Sequence, residues 1–190
     1  VKGMNIVSAL YEAGGKRVPV GYKLVEKTKK VINKKTGKEK RVSPISKQQH
    51  CRDLIVSSAK NEVKFKYVLA DSWFASSENM KFVKNNLGKN FIMPMKSNRL
   101  IALSEQKKLD GQFVKIDSLD LGEGKTVWPK GLDFPVCLVR QVFKNGDGST
   151  GTLYLVSSDL MLTDSQITTI YKRRWKVEEY HQSLKNNASL

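Results

Sequence analysis

Cysteine is scarce in this sequence. Cys51 and Cys137 are the only two, far apart and outside any CxxC pattern. That excludes a zinc ribbon and a disulfide scaffold and leaves two free thiols suited to a reducing cytoplasm. His50 adjoins Cys51, but no further ligand stands at a spacing that would complete a metal site. Long apolar runs are missing too: none approaches the ~20 residues that span a bilayer, so no membrane partner is expected. No internal repeat and no low-complexity tract is present. The shortage with most consequence is acidic charge. Asp plus Glu number 18 against 34 Lys plus Arg, a net charge of +16. A field of that sign attracts polyanions, and nucleic acid is the commonest; a ribosome-associated protein or a plain basic domain shares the same balance. The hydrophobic fraction of 39% over 190 residues supports a folded domain with a core and room for an inserted subdomain. The sequence opens at Val1 straight into a strand pattern and stops at Leu190 after a long helical segment, so a piece of a longer chain is expected.

"GMNIVSALYEAGGKRVPVGYKLVEK" reads as a hairpin turning at Gly14-Gly15, with Ile6, Ser8 and Leu10 alternating, then Val18, Val20, Tyr22 and Leu24. The next segment, 27–41, sets eight cations against Glu39 alone and has little core pattern. It reads as a mobile loop, either a solvated charge run or a DNA-backbone contact. Ser46 or a neighbour caps a helix through "KQQHCRDLIVSSAKN", with Cys51, Leu54, Ile55 and Ser58 on one face. "VKFKYVLADSWF" is a short apolar strand leading to Asp71, "SENMKFVKNNLG" a helix capped by Ser77 and closed by Gly88, and "NFIMPMK" a buried strand. Together they make a βαβ unit. From Asn98 the helical pattern gives way to short β-like pieces, with turn signals at Asn145-Gly146 and Asp147-Gly148. "GTLYLVSSDL" returns to a core strand, and Thr163 or Asp164 caps the last helix. The expected organisation is a first core part over 1–97, a β-rich insertion over 98–151, and a last core strand and helix over 152–190.

The final segment, "IYKRRWKVEEYHQSLKNN", has no glycine or proline. At about 100° per residue, Tyr171, Arg174, Glu178, His181 and Lys185 share a face roughly 80° wide, with Ile170, Val177 and Leu184 at its edge. Ordinary amphipathicity would place Arg174 and Lys185 in solvent, paired with Glu178. Tyr171 and His181 are odd members of a purely solvated stripe, and Glu179 lies off it. A carboxylate between cations and a phenol suits a metal-bound phosphate: the carboxylate holds Mg²⁺, the others grip phosphate oxygens. Phosphoryl-transfer sites assemble carboxylates from separate elements. Asp71 is a candidate because it follows "YVLA" at the C-terminal edge of a βαβ strand, although it could equally open the turn-rich "DSWFASSEN".

"LADSWFASSENM", followed far downstream by "YKRRWKVEEYHQSLK", resembles bacterial insertion-sequence transposases of the DDE type. The similarity is to the cut-and-paste group with a Tyr-x2-Arg-x3-Glu-x6-Lys signature, whose positions and gaps Tyr171, Arg174, Glu178 and Lys185 all match. The order of hairpin, βαβ unit and β-rich region extends the resemblance over essentially the whole chain. It implies an α/β, RNase H-like mixed sheet with flanking helices and a β-rich insertion before the last catalytic helix. It implies that Asp71 and Glu178 are the second and third catalytic carboxylates and metal ligands. Tyr171, Arg174 and Lys185 would be the DNA-binding residues, set on phosphates near a base turned out of the stack. Trp73, Trp128 and Trp175 become candidates to stack on that base, with the core the better expectation for Trp73 and Trp175. The implied cofactor is Mg²⁺, with Mn²⁺ as a substitute. The implied partners are duplex DNA of the transposon ends and the target, and a second copy in a homodimer that pairs two ends, in the bacterial cytoplasm. The implied reaction cuts the DNA end and joins the freed 3′-hydroxyl to target DNA. One departure matters. The family's first catalytic Asp lies on a strand before the opening hairpin, whereas the first Asp here is Asp53, inside a helical segment, and Glu12 sits by the turn. This chain alone is therefore expected to bind metal weakly and not to cut. Two alternatives stand beside it: another RNase H-like nuclease, told apart by the absence of joined products, and a non-catalytic basic DNA-binding remnant, whose binding would survive Glu178→Gln.

Overall fold

The computed structural model describes residues 5–187. The chain divides into two compact units, Val1–Lys64 with Trp175–Leu190, and Phe65–Arg174. Among the described residues no helix is long and apolar enough to cross a membrane.

In the first unit, β1 (Ile6–Ala13) and β2 (Lys16–Leu24) form an antiparallel hairpin. Gly14 and Gly15 turn it at φ +55° and +77°, a conformation in which a Cβ is strained. The alternation identifies the strands but not their buried side. Val7 is the buried residue, while Val18, Tyr22 and Leu24 are exposed, because β2 pairs with β1 alone. The segment read as a mobile loop is instead a second hairpin, β3 (Lys29–Ile32) and β4 (Glu39–Val42). The β-branched Val31, Ile32 and Val42 favour extended backbone. The link between them is closed by Asn33 N–H donating to Lys38 O at 2.9 Å and by Gly37 at φ +65°. Helix α1 (Lys47–Lys60) is capped by Ser46, whose Oγ accepts from Gln49 N–H at 3.0 Å. It packs on β1 and β2 through Leu54 and Ile55; Gly21 lets it approach, since a Cβ there would meet Leu54 Cδ2 at 3.0 Å. His50 and Ser58, rather than Cys51, complete its buried side.

The second unit is built on one sheet. After β5 (Tyr67–Leu69) come α2 (Ser77–Lys81), a π-helical turn over Phe82–Asn86, and β6 (Asn90–Met95). Then follow β7 (Leu100–Ala102), α3 (Glu105–Leu109), β8 (Val114–Lys115), β9 (Lys125–Pro129), β10 (Val136–Lys144), β11 (Thr150–Ser157) and α4 (Asp164–Lys172). The sheet has seven strands in the order β5-β6-β11-β10-β9-β7-β8. Only β5 and β6 pair in parallel, joined through the expected βαβ unit; the other pairs are antiparallel. Strand β6 reads as a continuous apolar run because Phe91, Ile92 and Met93 are all buried, as befits a strand covered on both faces. This is the mixed α/β architecture that an RNase H-like fold requires. Two local readings are corrected. Ser76, not Ser77, caps α2, its hydroxyl accepting from Asn79 N–H. Within the region read as free of helix, Ser104 caps the single turn of α3; its five residues are too short to show a 3.6-residue pattern.

The last helical segment is interrupted. Arg173–Trp175 is a 3-10 turn between α4 and α5 (Lys176–Asn187). Such a turn advances by about 120° per residue rather than 100°, so one stripe cannot be counted through it. Tyr171 precedes the break, Arg174 lies in it, and Glu178, His181 and Lys185 follow it. Trp73 and Trp175 are exposed, at 66% and 57%, not in the core.

Candidate active site

Asp71 stands two residues beyond the end of β5. Its Oδ1 accepts from the backbone N–H of Trp73 at 2.8 Å and of Phe74 at 3.2 Å. The loop after the strand therefore grips one carboxylate oxygen with two main-chain donors and leaves Oδ2 unbonded among the described residues. The sequence left Asp71 open between opening a turn and serving a site; its side chain does the first with one oxygen and keeps the other available. Buried Ala70 precedes it, and the Ala70 carbonyl accepts from the hydroxyl of Tyr171 at 3.2 Å.

Tyr171 is buried, 9% exposed, in a cluster with Ile92, Cys137, Val139, Leu155 and Ile167. Helix α4 delivers it there, its start fixed by a capping box between Thr163 and Gln166. The Arg174 guanidinium lies over the Tyr171 ring, 5.7 Å from its centroid, in cation–π range. The second unit thus brings the Tyr171 hydroxyl to the backbone next to Asp71, with Arg174 over the Tyr171 ring. An open cavity of about 590 Å³ adjoins the same loop, with Ser72, Lys96, Ser97, Asn98 and Tyr154 in its wall. Sequence reading missed this wall; the polar run Lys96-Ser97-Asn98 at the end of an apolar strand was the available signal.

In the first unit, α5 carries Glu178, His181 and Lys185, which share one of its faces by their i, i+3 and i+7 spacing. Glu178 is half-buried and Lys185 exposed. His181, left without a role by the sequence, has Nε2 2.7 Å from Ser8 Oγ, which ties α5 to β1. Glu179 is committed elsewhere: it accepts from Lys176 Nζ at 2.7 Å and from Arg17 Nη1 at 2.6 Å. The Lys176 hydrogen bond, with Arg17 nearby, holds its carboxyl below the usual range. Of the two adjacent glutamates, Glu179 serves the fold of α5 on the hairpin.

Against this geometry stands the comparison with known families. The family described as Transposase DDE domain matches residues 23–190. The chain belongs to this transposase family. Neither a curated protein nor a solved structure matches it. Transposases of this family use divalent metal ions. Among the described residues of this transposase domain, no group of three or more His, Cys, Asp and Glu is placed to hold one ion. Carboxylates are the right donors for a hard cation, and Mg²⁺ keeps several waters while taking one or two of them. Asp71, with one oxygen held and one available, fits as such a ligand.

Proposed function

We propose that this domain cleaves and transfers DNA strands during transposition of an insertion sequence, with Mg²⁺, or Mn²⁺ in its place, as cofactor. Asp71 and Glu178 are two of its catalytic, metal-holding carboxylates. Tyr171, Arg174 and Lys185 contact phosphates of the transposon end, and Lys96, Ser72 and Asn98 offer further donors to the same strand. What supports this reading is Tyr171, bonded to the Ala70 carbonyl next to Asp71 and covered by Arg174, within a transposase-family match that also spans Glu178 and Lys185. A divalent ion held there supplies charge neutralisation at the attacking and leaving oxygens. Tyr171 has one hydrogen to donate and gives it to Ala70; on DNA that hydrogen turns to a phosphate oxygen. Arg174 presents a fixed fork suited to a phosphate, and Lys185 a mobile point charge. Residues 98–151 form the β-rich insertion of the RNase H-like core, and a homodimer pairs the two ends.

The lack of a three-residue ligand group among the described residues favours a second reading of the chain by itself: a basic DNA-binding domain that does not cut. Calorimetric titration of Mn²⁺ and anisotropy on duplex DNA, run on wild type, Asp71→Asn and Glu178→Gln, test both. We expect duplex DNA binding in all three proteins and Mn²⁺ binding in wild type that each substitution abolishes; in a parallel assay on end DNA, Mn²⁺-dependent cut or joined product from wild type supports the first reading, and none supports the second. Mn²⁺ binding that survives both substitutions removes these residues from the metal site. Wild type that ignores duplex DNA at low salt overturns the transposase reading.

A further inference from the structure

The β3–β4 hairpin is the most concentrated positive charge in the chain. Between 27 and 41 lie Lys27, Lys29, Lys30, Lys34, Lys35, Lys38, Lys40 and Arg41, against Glu39 alone. Its register sets Lys30 opposite Arg41 and Ile32 opposite Glu39 on one face, and Lys29 opposite Val42 and Val31 opposite Lys40 on the other. Val31 and Val42 are half-buried, so the Lys29–Lys40 side is the more covered of the two. The Lys30–Arg41 side faces out: Ile32 on it is 72% exposed. Like charges directly opposite each other destabilise a strand pair, and a lone two-stranded hairpin is marginal in water. Its single acidic residue makes an exposed Lys30–Glu39 pair at 3.1 Å, and such pairs contribute little. The turn is nevertheless defined: Asn33 Oδ1 accepts from Lys35 N–H, and Gly37 N–H donates to Asn33 O. It gathers Lys34, Lys35 and Lys38 at the tip.

We propose that this hairpin is a DNA-backbone clamp, with Lys30 and Arg41 on its outer face and Lys34, Lys35 and Lys38 at its tip each set against phosphates of duplex DNA. A two-stranded ribbon has the width to enter a major groove about 12 Å across, and the phosphates on the groove walls supply counter-charge that Glu39 by itself cannot. The choice of DNA as the polyanion rests on the transposase reading. The clamp contacts backbone, so it raises affinity without selecting sequence.

The test compares three forms of the 190-residue chain by anisotropy on random-sequence duplex DNA across a KCl series. They are wild type, a hairpin variant with Lys30, Lys34, Lys35, Lys38 and Arg41 all changed to Gln, and a control with exposed Lys60, Lys107, Lys115, Lys125 and Lys144 changed to Gln. Each lost phosphate contact lowers the slope of log K against log salt by about 0.9. We expect the hairpin variant to lose at least about 2 in slope and at least tenfold in affinity at low salt, with the control close to wild type. Equal losses in hairpin variant and control overturn the clamp and leave net charge as the cause. Wild type that binds no DNA overturns instead the transposase reading. Hydrogen exchange on unmutated protein gives a second, independent readout. Amides of 29–42 are expected to slow on adding duplex DNA and not on adding poly-glutamate at the same charge. No slowing with DNA, or equal slowing with poly-glutamate, sinks the proposal.

Discussion

Asp71 holds the turn after β5 with one carboxylate oxygen, and on the proposed function its charge serves a metal site. The Oδ1 bonds to Trp73 and Phe74 belong to the turn; the charge belongs to the proposed chemistry. An amide oxygen accepts the same two N–H groups, so Asp71→Asn should keep stability within about 0.5 kcal/mol while abolishing divalent-ion binding. Asp71→Ala loses the acceptor as well and should cost about 1 kcal/mol more. Urea unfolding of the two variants checks the difference, and equal stabilities would falsify the turn-holding role. Tyr171→Phe leaves the Ala70 carbonyl without its donor in a buried place. A loss of about 1 kcal/mol in unfolding free energy is expected, together with weaker DNA binding if the hydroxyl also meets a phosphate.

At the scale of elements, the second unit is tied together where β11 ends and β5 begins. Tyr67 Oη donates to Asp159 Oδ2 at 2.7 Å, and Lys66 Nζ stands 3.3 Å from the same oxygen. The Tyr67 hydrogen bond, helped by Met161 N–H and Lys66, holds the Asp159 carboxyl below its ordinary range. A carboxylate depressed in the folded state stabilises above its unfolded pKa, about 3.9, and loses that contribution as pH falls through the lower folded value. Stability should therefore drop below about pH 4, and Asp159→Asn should flatten that part of the profile in acid titrations followed by circular dichroism. Helix α4 depends on its capping box, so Thr163→Ala should cost about 1 kcal/mol and loosen the helix that presents Tyr171; thermal unfolding reports it. The break after α4 was not legible. Arg173 and Arg174 are good helix formers and Trp175 an average one, so propensity gives no sign of the 3-10 turn there.

For the whole molecule the governing quantity is the charge of +16. DNA affinity built on lysines and arginines does not need a metal. Removing divalent ions with EDTA should leave duplex binding unchanged at low salt, while raising KCl weakens it steeply; anisotropy measured with and without EDTA separates the two. Binding that vanishes in EDTA would mean that the metal, rather than the basic surface, mediates contact.

The parts visible in sequence were those set by local chemistry. Gly14-Gly15 had to turn a hairpin, the apolar run of β6 had to be buried, a cap was visible at Ser46 or a neighbour and at Thr163 or Asp164, and the resemblance to DDE transposases named the family to which the chain belongs. Backbone sterics, burial and capping act within a few residues, so they leave a local trace. The tertiary structure alone decided the rest. It chose Val7 as the buried residue of β1, made the lysine-rich run a ribbon with Lys30 and Arg41 on its outer face, and spent Glu179 on Arg17 and Lys176. It also joined Tyr171 to Ala70 across 101 positions. These depend on partners far apart in the chain, and no local pattern encodes which distant group will complete a hydrogen bond or cover a face.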